Sequence, residues 1–86
     1  MERAHDHYTK PPKHDFPRFD GTTPCIWLER CVSYFELYRM PPHNWVTTAA
    51  LYMEGLAAMW LQAYRQKHPG VSWAIFRAAI EEEFGP

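Results

Sequence analysis

The sequence predicts an all-α fold, a compact bundle of four short helices that follows an extended N-terminal arm. Apolar residues recur at three- and four-residue steps between residues 24 and 84, which is the spacing of amphipathic helices. Pro41, Gly55 and Pro69 divide that pattern into helix-length segments. The 86 residues allow one small domain, and a composition that is 47% hydrophobic and 16% aromatic is too apolar for disorder.

The most apolar segment, residues 51–61, is predicted to be the centre of the fold. Glycine inside a helix costs roughly 1 kcal/mol relative to alanine, so we expect two helices that meet at a bend near Gly55. The second of these runs from about Leu56 to Lys67. Its part from Leu56 to Tyr64 is apolar on most of its circumference, which predicts burial on several sides. Its expected buried residues are Leu56, Trp60, Ala63 and Tyr64.

The domain itself is predicted to span residues 15–86. Residues 1–14 are polar and contain a Pro11-Pro12 pair, which indicates a flexible tail. The histidines of this tail lack a scaffold that could hold ligands, so we expect surface histidines and no metal site. They are His5, His7 and His14.

An aromatic arm, DFPRFDG at residues 15–21, opens the predicted domain. Pro17 makes a regular helix improbable, and Asp20-Gly21 is a turn signal. We expect an extended arm whose two rings, Phe16 and Phe19, dock on the helices. The alternative is that both rings are exposed for a partner.

The first helix is predicted to begin with Thr23 as its cap and Pro24 in its first turn, and to end near Arg39. Ile26 and Leu37 fall off its apolar stripe, either as ordinary surface residues or as a second contact surface. The stripe itself consists of Trp27, Leu28, Cys31, Tyr34, Phe35 and Tyr38.

The second and fourth helices have their own start signals, Asn44 and Ser72, which are both favourable caps. Leu51 points away from the apolar face of the second helix. In the fourth helix, apolar residues recur at three- and four-residue steps. Residues 81–83 are three glutamates at its C-terminal end, where the helix dipole disfavours negative charge. The expected buried faces are Trp45, Val46, Ala49, Tyr52 and Met53, and then Trp73, Phe76, Ile80 and Phe84.

The composition argues against catalysis, nucleic-acid binding and membrane insertion. The net charge of −1 and the pI of about 6.5 lack the basic footprint of a nucleic-acid binder. No nucleophile elbow, phosphate-binding loop or zinc-protease pattern occurs, and we expect no enzyme activity, cofactor or metal. Cys25 and Cys31 lie on different faces of one helix and are not expected to bridge, which fits a cytoplasmic or nuclear protein.

Five motifs in order resemble the Gag domain of Ty3/Gypsy-type LTR retrotransposons, particularly plant elements, over residues 15–86. They are an aromatic arm, a helix with an early Trp and a later Tyr-Phe, a Gly-x-Ala-x-x-Trp segment, a Ser-Trp-x-x-Phe segment and a final Phe-Gly. The matching residues are Phe16, Phe19, Gly21, Trp27, Tyr34, Phe35, Met53, Gly55, Ala57, Trp60, Ser72, Trp73, Phe76, Phe84 and Gly85.

This resemblance implies the N-terminal lobe of a capsid protein, a self-associating module of virus-like particles. RNA packaging in such proteins belongs to segments outside the residues that match, so no direct nucleic-acid binding is expected. Expected contacts between copies are the apolar residues off the core stripes, Ile26, Leu37, Leu51 and Ile75.

A different function is also compatible with the resemblance. Domesticated relatives, such as the neuronal Arc protein, use the corresponding lobe to bind short peptides. An adaptor or decoy domain of that kind would capture a peptide or a foreign protein by strand addition beside the arm. The groove would then consist of Phe16, Phe19, Tyr34 and Tyr38.

Overall fold

The computed structural model describes residues 15–85, and the chain in this range is helical with short connections. Helix α1 spans Pro24–Leu37, α2 spans Trp45–Ala50, α3 spans Gly55–Lys67 and α4 spans Trp73–Phe84. A single 3-10 turn, Pro42–Asn44, leads into α2. The predicted all-α class and the four helices are confirmed for these residues. The predicted flexible tail at residues 1–14 lies outside them.

The helix starts agree with the sequence signals only in part. Pro24 occupies the first turn of α1, and the Ser72 hydroxyl accepts a hydrogen bond from the Ile75 N–H at 3.4 Å. Thr23 and Asn44 occupy the predicted N-cap positions, but neither side chain makes a capping hydrogen bond. Thr23 has left-handed backbone geometry, with φ at 48°, and its hydroxyl donates to the Thr22 carbonyl instead. Asn44 lies within the 3-10 turn, so its side chain makes no cap bond.

Helix α1 forms the main wall of the hydrophobic core. Four of its six stripe residues are buried, while Tyr34 and Tyr38 are half-buried at one end of the stripe. Phe76 and Ile80 of α4 are fully buried in the same cluster, together with the two arm rings. The buried stripe residues are Trp27, Leu28, Cys31 and Phe35.

The prediction that α3 is the buried centre of the fold is wrong. Leu56 and Ala63 are exposed, and Trp60 and Tyr64 are only half-buried. The buried residues of α3 are Ala57 and Leu61, one turn apart, so this helix presents one narrow face to the core. A chain of this size has too few elements to cover a helix on every side, even an apolar one.

The break between α2 and α3 is longer than the predicted bend. Residues 51–54 leave the helix before Gly55 starts α3 with φ at 58°. Glycine is favoured there because a left-handed conformation is open to it at little cost. Met53 within this break is buried, and its backbone meets the N-terminal arm.

An ion pair joins α4 to α1 on the surface. One guanidinium nitrogen of Arg77 lies 2.9 Å from a carboxylate oxygen of Glu29, and Nε lies 3.3 Å from a carboxylate oxygen of Glu81. Hydrogen bonding to Glu29, then to Glu81, raises the pKa of Arg77 and keeps it charged. Surface pairs of this kind contribute little stability, so the packed rings remain the main support of the α1–α4 contact.

Candidate interaction surfaces

The N-terminal arm is held to the α2–α3 break by one short backbone pairing. The Phe19 N–H donates to the Tyr52 carbonyl at 3.0 Å, and the Glu54 N–H donates to the Phe19 carbonyl at 2.8 Å. These bonds form an isolated parallel bridge between Phe19 and Met53. The arm is therefore extended over α1, as the sequence predicts.

Ring packing fixes the start and the end of the arm. The Phe19 ring stacks on Trp27 with centroids 4.5 Å apart and meets Phe84 edge-on at 5.3 Å. The Phe16 ring lies 4.8 Å from Tyr34 and 4.7 Å from Tyr52. The prediction that both rings dock on the helices is confirmed, and the alternative of two exposed rings is not what the structure shows.

The backbone between the two rings is also anchored. The indole Nε1 of Trp27 donates to the Pro17 carbonyl at 2.9 Å, which satisfies the polar atom of an otherwise buried side chain. Arg18 at the arm's surface lies near the Tyr52 ring and forms a 3.7 Å ion pair with Glu54. The arm is thus part of the fold rather than an appendage.

A shallow groove lies between the arm and the outer side of α1. It encloses about 270 Å³, and Asp15, Pro17, Ser33, Tyr34 and Leu37 are among the residues that line it. Desolvation, then the neighbouring Tyr38, raises the pKa of Tyr34. The hydroxyl of Tyr34 therefore stays protonated near neutral pH.

The four residues predicted for the partner groove divide into two pairs. Phe16 and Phe19 are 5% and 1% exposed, so their rings belong to the core and offer no surface to a partner. Tyr34 and Tyr38 are half-buried, with centroids 4.7 Å apart. The groove at the arm therefore presents tyrosine rather than phenylalanine.

The four residues predicted for assembly contacts are all on the outside of the fold. Ile26, Leu37, Leu51 and Ile75 are each more than half exposed. Ile26 and Leu37 are eleven residues apart on α1, which places them on one side of the helix, three turns apart. Arg30 and Ser33 lie between them, and both line a second depression of about 300 Å³ beside Ile26.

Two further exposed apolar residues were not predicted, Leu56 and Met59 on α3. Both are about 70% exposed and lie three residues apart, on one side of the helix. The sequence contained a sign of this exposure, since Ala57 and Leu61 are four residues apart and form a row on another side of α3 than Leu56 and Met59. The uniform apolar character of this segment hid that distinction.

A further depression lies at the opposite end of α4 from its glutamates. It encloses about 480 Å³ between the start of α2, the end of α3 and the turn into α4. His43, Arg65 and His68 line it, together with the rings of Tyr64 and Trp73. The His68 ring lies 4.7 Å from the Tyr64 ring, which fixes one wall.

The buried cysteine, Cys31, is not placed to act as a nucleophile. Burial raises the pKa of the Cys31 thiol far above the usual range, so it is a neutral, inert side chain. Cys25 is exposed, and both cysteines are free.

Among residues 15–85, no group of three or more His, Cys, Asp or Glu residues is placed to hold a metal ion. None of the helices in that range is long and apolar enough to cross a membrane.

A match to a family model identifies the family of this chain. The model for retrotransposon-derived protein PEG10, N-terminal capsid-like domain, matches residues 13–85. The chain belongs to this family. No curated protein and no solved structure matches it.

Membership in this family agrees with the arrangement of the domain. The match includes the arm and all four described helices, so the capsid-like unit is the whole structure described above. The resemblance to retrotransposon Gag proteins is confirmed at the level of a retrotransposon-derived, capsid-like domain. Such a domain is structural rather than catalytic in kind.

Proposed function

We propose that this domain is the N-terminal capsid lobe of a Ty3/Gypsy-type Gag protein and that it makes contacts between copies during virus-like particle assembly. The observation that carries the proposal is the exposure of large apolar side chains outside a closed core. The family match supports a capsid-like role, and the five sequence motifs support the Ty3/Gypsy origin.

The outer apolar residues are spread over several elements rather than gathered in one pocket. Ile26 and Leu37 lie on α1, Leu51 follows α2, and Ile75 lies on α4. A closed shell needs each subunit to present several distinct contacts that repeat by symmetry. Each contact is small, and the many copies in a shell compensate for weak single interfaces. This distribution favours assembly over the binding of one compact ligand.

The proposal includes a cellular location for the protein. One free cysteine is exposed and the other is buried, and neither forms a disulfide in the structure. Reduced thiols of this kind support a cytoplasmic or nuclear location.

Sedimentation velocity of the chain over a range of concentrations tests the assembly function. We expect reversible self-association of the wild type, and its loss in the double variant Ile26→Asp, Leu37→Asp, because both charges would enter an apolar contact. Gln66→Asp on the exposed side of α3 is the matched control and should associate like the wild type. A wild type that stays monomeric at every concentration would contradict assembly.

The adaptor function keeps one specific observation in its favour, the groove beside the arm. Its walls combine the arm backbone at Asp15 and Pro17 with Tyr34 and Leu37 of α1. An extended peptide could lie there by strand addition, with side-chain specificity supplied by Tyr34 and Leu37. Capture of a peptide that Tyr34→Ala abolishes and Ile75→Asp leaves unchanged, with circular dichroism to check that both variants are folded, would favour this function over assembly.

A further inference from the structure

The depression beside α4 has a basic lining that no described acidic residue neutralises. His43 reaches it from the 3-10 turn before α2, and Arg65 and His68 reach it from the end of α3. None of its lining residues is Asp or Glu. Within residues 15–85, Arg65 forms no salt bridge. The depression has a volume of about 480 Å³, which is large enough for one or two side chains of a partner.

The end of α4 carries the opposite charge without a basic neighbour. Residues 81–83 are exposed glutamates in the last turn of the helix, and that turn contains no basic residue. Arg77 binds Glu81, while Glu82 and Glu83 form no salt bridge within the described part of the chain. Negative charge at a helix C-terminus is unfavourable, so a cationic partner would stabilise this end.

The two charged regions cannot meet within one chain. Trp73 lines the depression at the start of α4, whereas Glu82 lies nine residues further along the same rigid helix. At 1.5 Å per residue the separation is about 14 Å along the axis, beyond the reach of a glutamate side chain. A partner is therefore needed to join the two charges.

We propose that the Glu82-Glu83 end of α4 in one copy docks into the His43, Arg65 and His68 depression of a second copy. The contact is head-to-tail, because the donor and acceptor surfaces differ. Such an interface leaves one donor and one acceptor free on each pair, so it propagates into rings or filaments. The inference rests on the proposed assembly function and names one of its interfaces.

The charge complementarity accounts for the choice of a second copy over a free anion. Every chain carries one such depression and one Glu82-Glu83 end. The charged and imidazole side chains on both sides of the contact are exposed. The contact lies near the surface, so it should weaken as salt screens it. The apolar row of Ile26 and Leu37 on α1 is a separate surface and does not depend on salt in the same way.

A charge-exchange series in sedimentation velocity at low and high salt tests the interface. Arg65→Glu should weaken self-association about tenfold, since like charges then face each other, and Glu82→Lys with Glu83→Lys should do the same. The triple variant that carries all three changes should associate again, because the charges are exchanged and complementary. Matched controls are Glu36→Lys at the end of α1 and Arg39→Glu just after it, exposed residues outside both charged surfaces, and circular dichroism checks that each variant is folded.

Mixing the two defective proteins gives a sharper result. Arg65→Glu keeps its glutamates, which fit the basic depression of the lysine variant. The lysines of that variant in turn fit the depression of Arg65→Glu, so the mixture should associate again with the two proteins alternating. Self-association of the wild type that neither charge change weakens would overturn this interface while leaving assembly through the apolar faces intact. Failure of the triple variant to recover also overturns it. A wild type that never associates overturns the interface and the assembly function together. Inhibition by inorganic phosphate alone, without any rescue, would indicate a small-anion site instead.

Discussion

Replacing Phe19 with alanine should show that the N-terminal arm is an integral part of the core. The ring is 1% exposed, and it contacts the Trp27 face at 4.5 Å and the Phe84 edge at 5.3 Å. Removal of a buried phenylalanine ring costs roughly 3–5 kcal/mol, the upper part of which reflects lost ring pairs and a residual cavity. The two backbone hydrogen bonds of Phe19 are retained by alanine, so the change isolates the ring.

This loss is large against the stability of a domain of this size. At about 0.05–0.15 kcal/mol per residue, the chain is expected to have roughly 4–13 kcal/mol in total. Phe19→Ala, at roughly 3–5 kcal/mol, therefore removes about a quarter or more of the free energy of unfolding. The thermal midpoint should fall by roughly 12 °C or more, since each kcal/mol is worth about 4–8 °C in a small domain.

Urea unfolding followed by far-ultraviolet circular dichroism measures the effect. Leu56→Ala is the matched control, because Leu56 is a large apolar residue that is 73% exposed. Its loss should change the free energy of unfolding by about 0.5 kcal/mol or less. A cost below about 1 kcal/mol for Phe19→Ala, or a larger cost for Leu56→Ala, would refute the assignment of the arm to the core and of α3 to the periphery.

Three further predictions concern single residues. Iodoacetamide should alkylate the exposed Cys25 rapidly in the native protein and reach the buried, neutral Cys31 only after denaturation; equal rates measured by mass spectrometry would contradict the packing. Gly55→Ala should cost about 1–2 kcal/mol in a urea titration, because its φ of 58° is strained for an L side chain while the new methyl group meets only ordinary contacts; no loss would mean that the α2–α3 break differs from the structure. Hydrogen bonds from the Thr22 hydroxyl, and then from the Thr22 N–H, lower the pKa of Asp20 below its ordinary value of 3.8. The stabilisation of the fold by the ionised Asp20 is therefore present above pH 3.8 and is lost as the pH falls through the native pKa. Asp20→Asn should therefore be less stable than the wild type at neutral pH and approach it in acid, and a constant difference across that range would be inconsistent with these bonds.

The arm was predictable because local chemistry leaves it few options. Pro17 prevents a helix, and two phenylalanines on either side need burial, so docking on the helices follows. The helix boundaries followed from Pro24, Ser72 and the prolines after α1 for similar reasons. The pairing of Phe19 with Met53 was not predictable, since it joins segments that are distant in the sequence.

The role of α3 shows the limit of periodicity. A helix that is apolar on most sides can be buried on most sides, or it can present apolar residues to other molecules. Leu56 and Met59 belong to the second case here, and only the number of neighbouring elements decides between the two. Thr23 shows a similar limit, because its hydroxyl found a nearer partner in the Thr22 carbonyl.

The candidate surfaces were predictable to different degrees. Ile26, Leu37, Leu51 and Ile75 lie off their apolar stripes, so their exposure follows from the sequence, while their contact role stays a prediction. The basic depression was not visible in the sequence, because His43, Arg65 and Trp73 come from three separate segments that only the fold brings together.

The central claim is that the core is closed and that the outer apolar residues bind other copies. A concentration series of amide NMR spectra tests it most directly. We expect the signals of Ile26, Leu37 and Ile75 to shift as the concentration rises, while those of Phe19 and Phe76 in the core stay in place. Spectra that do not depend on concentration, or shifts that begin in the core, would contradict it.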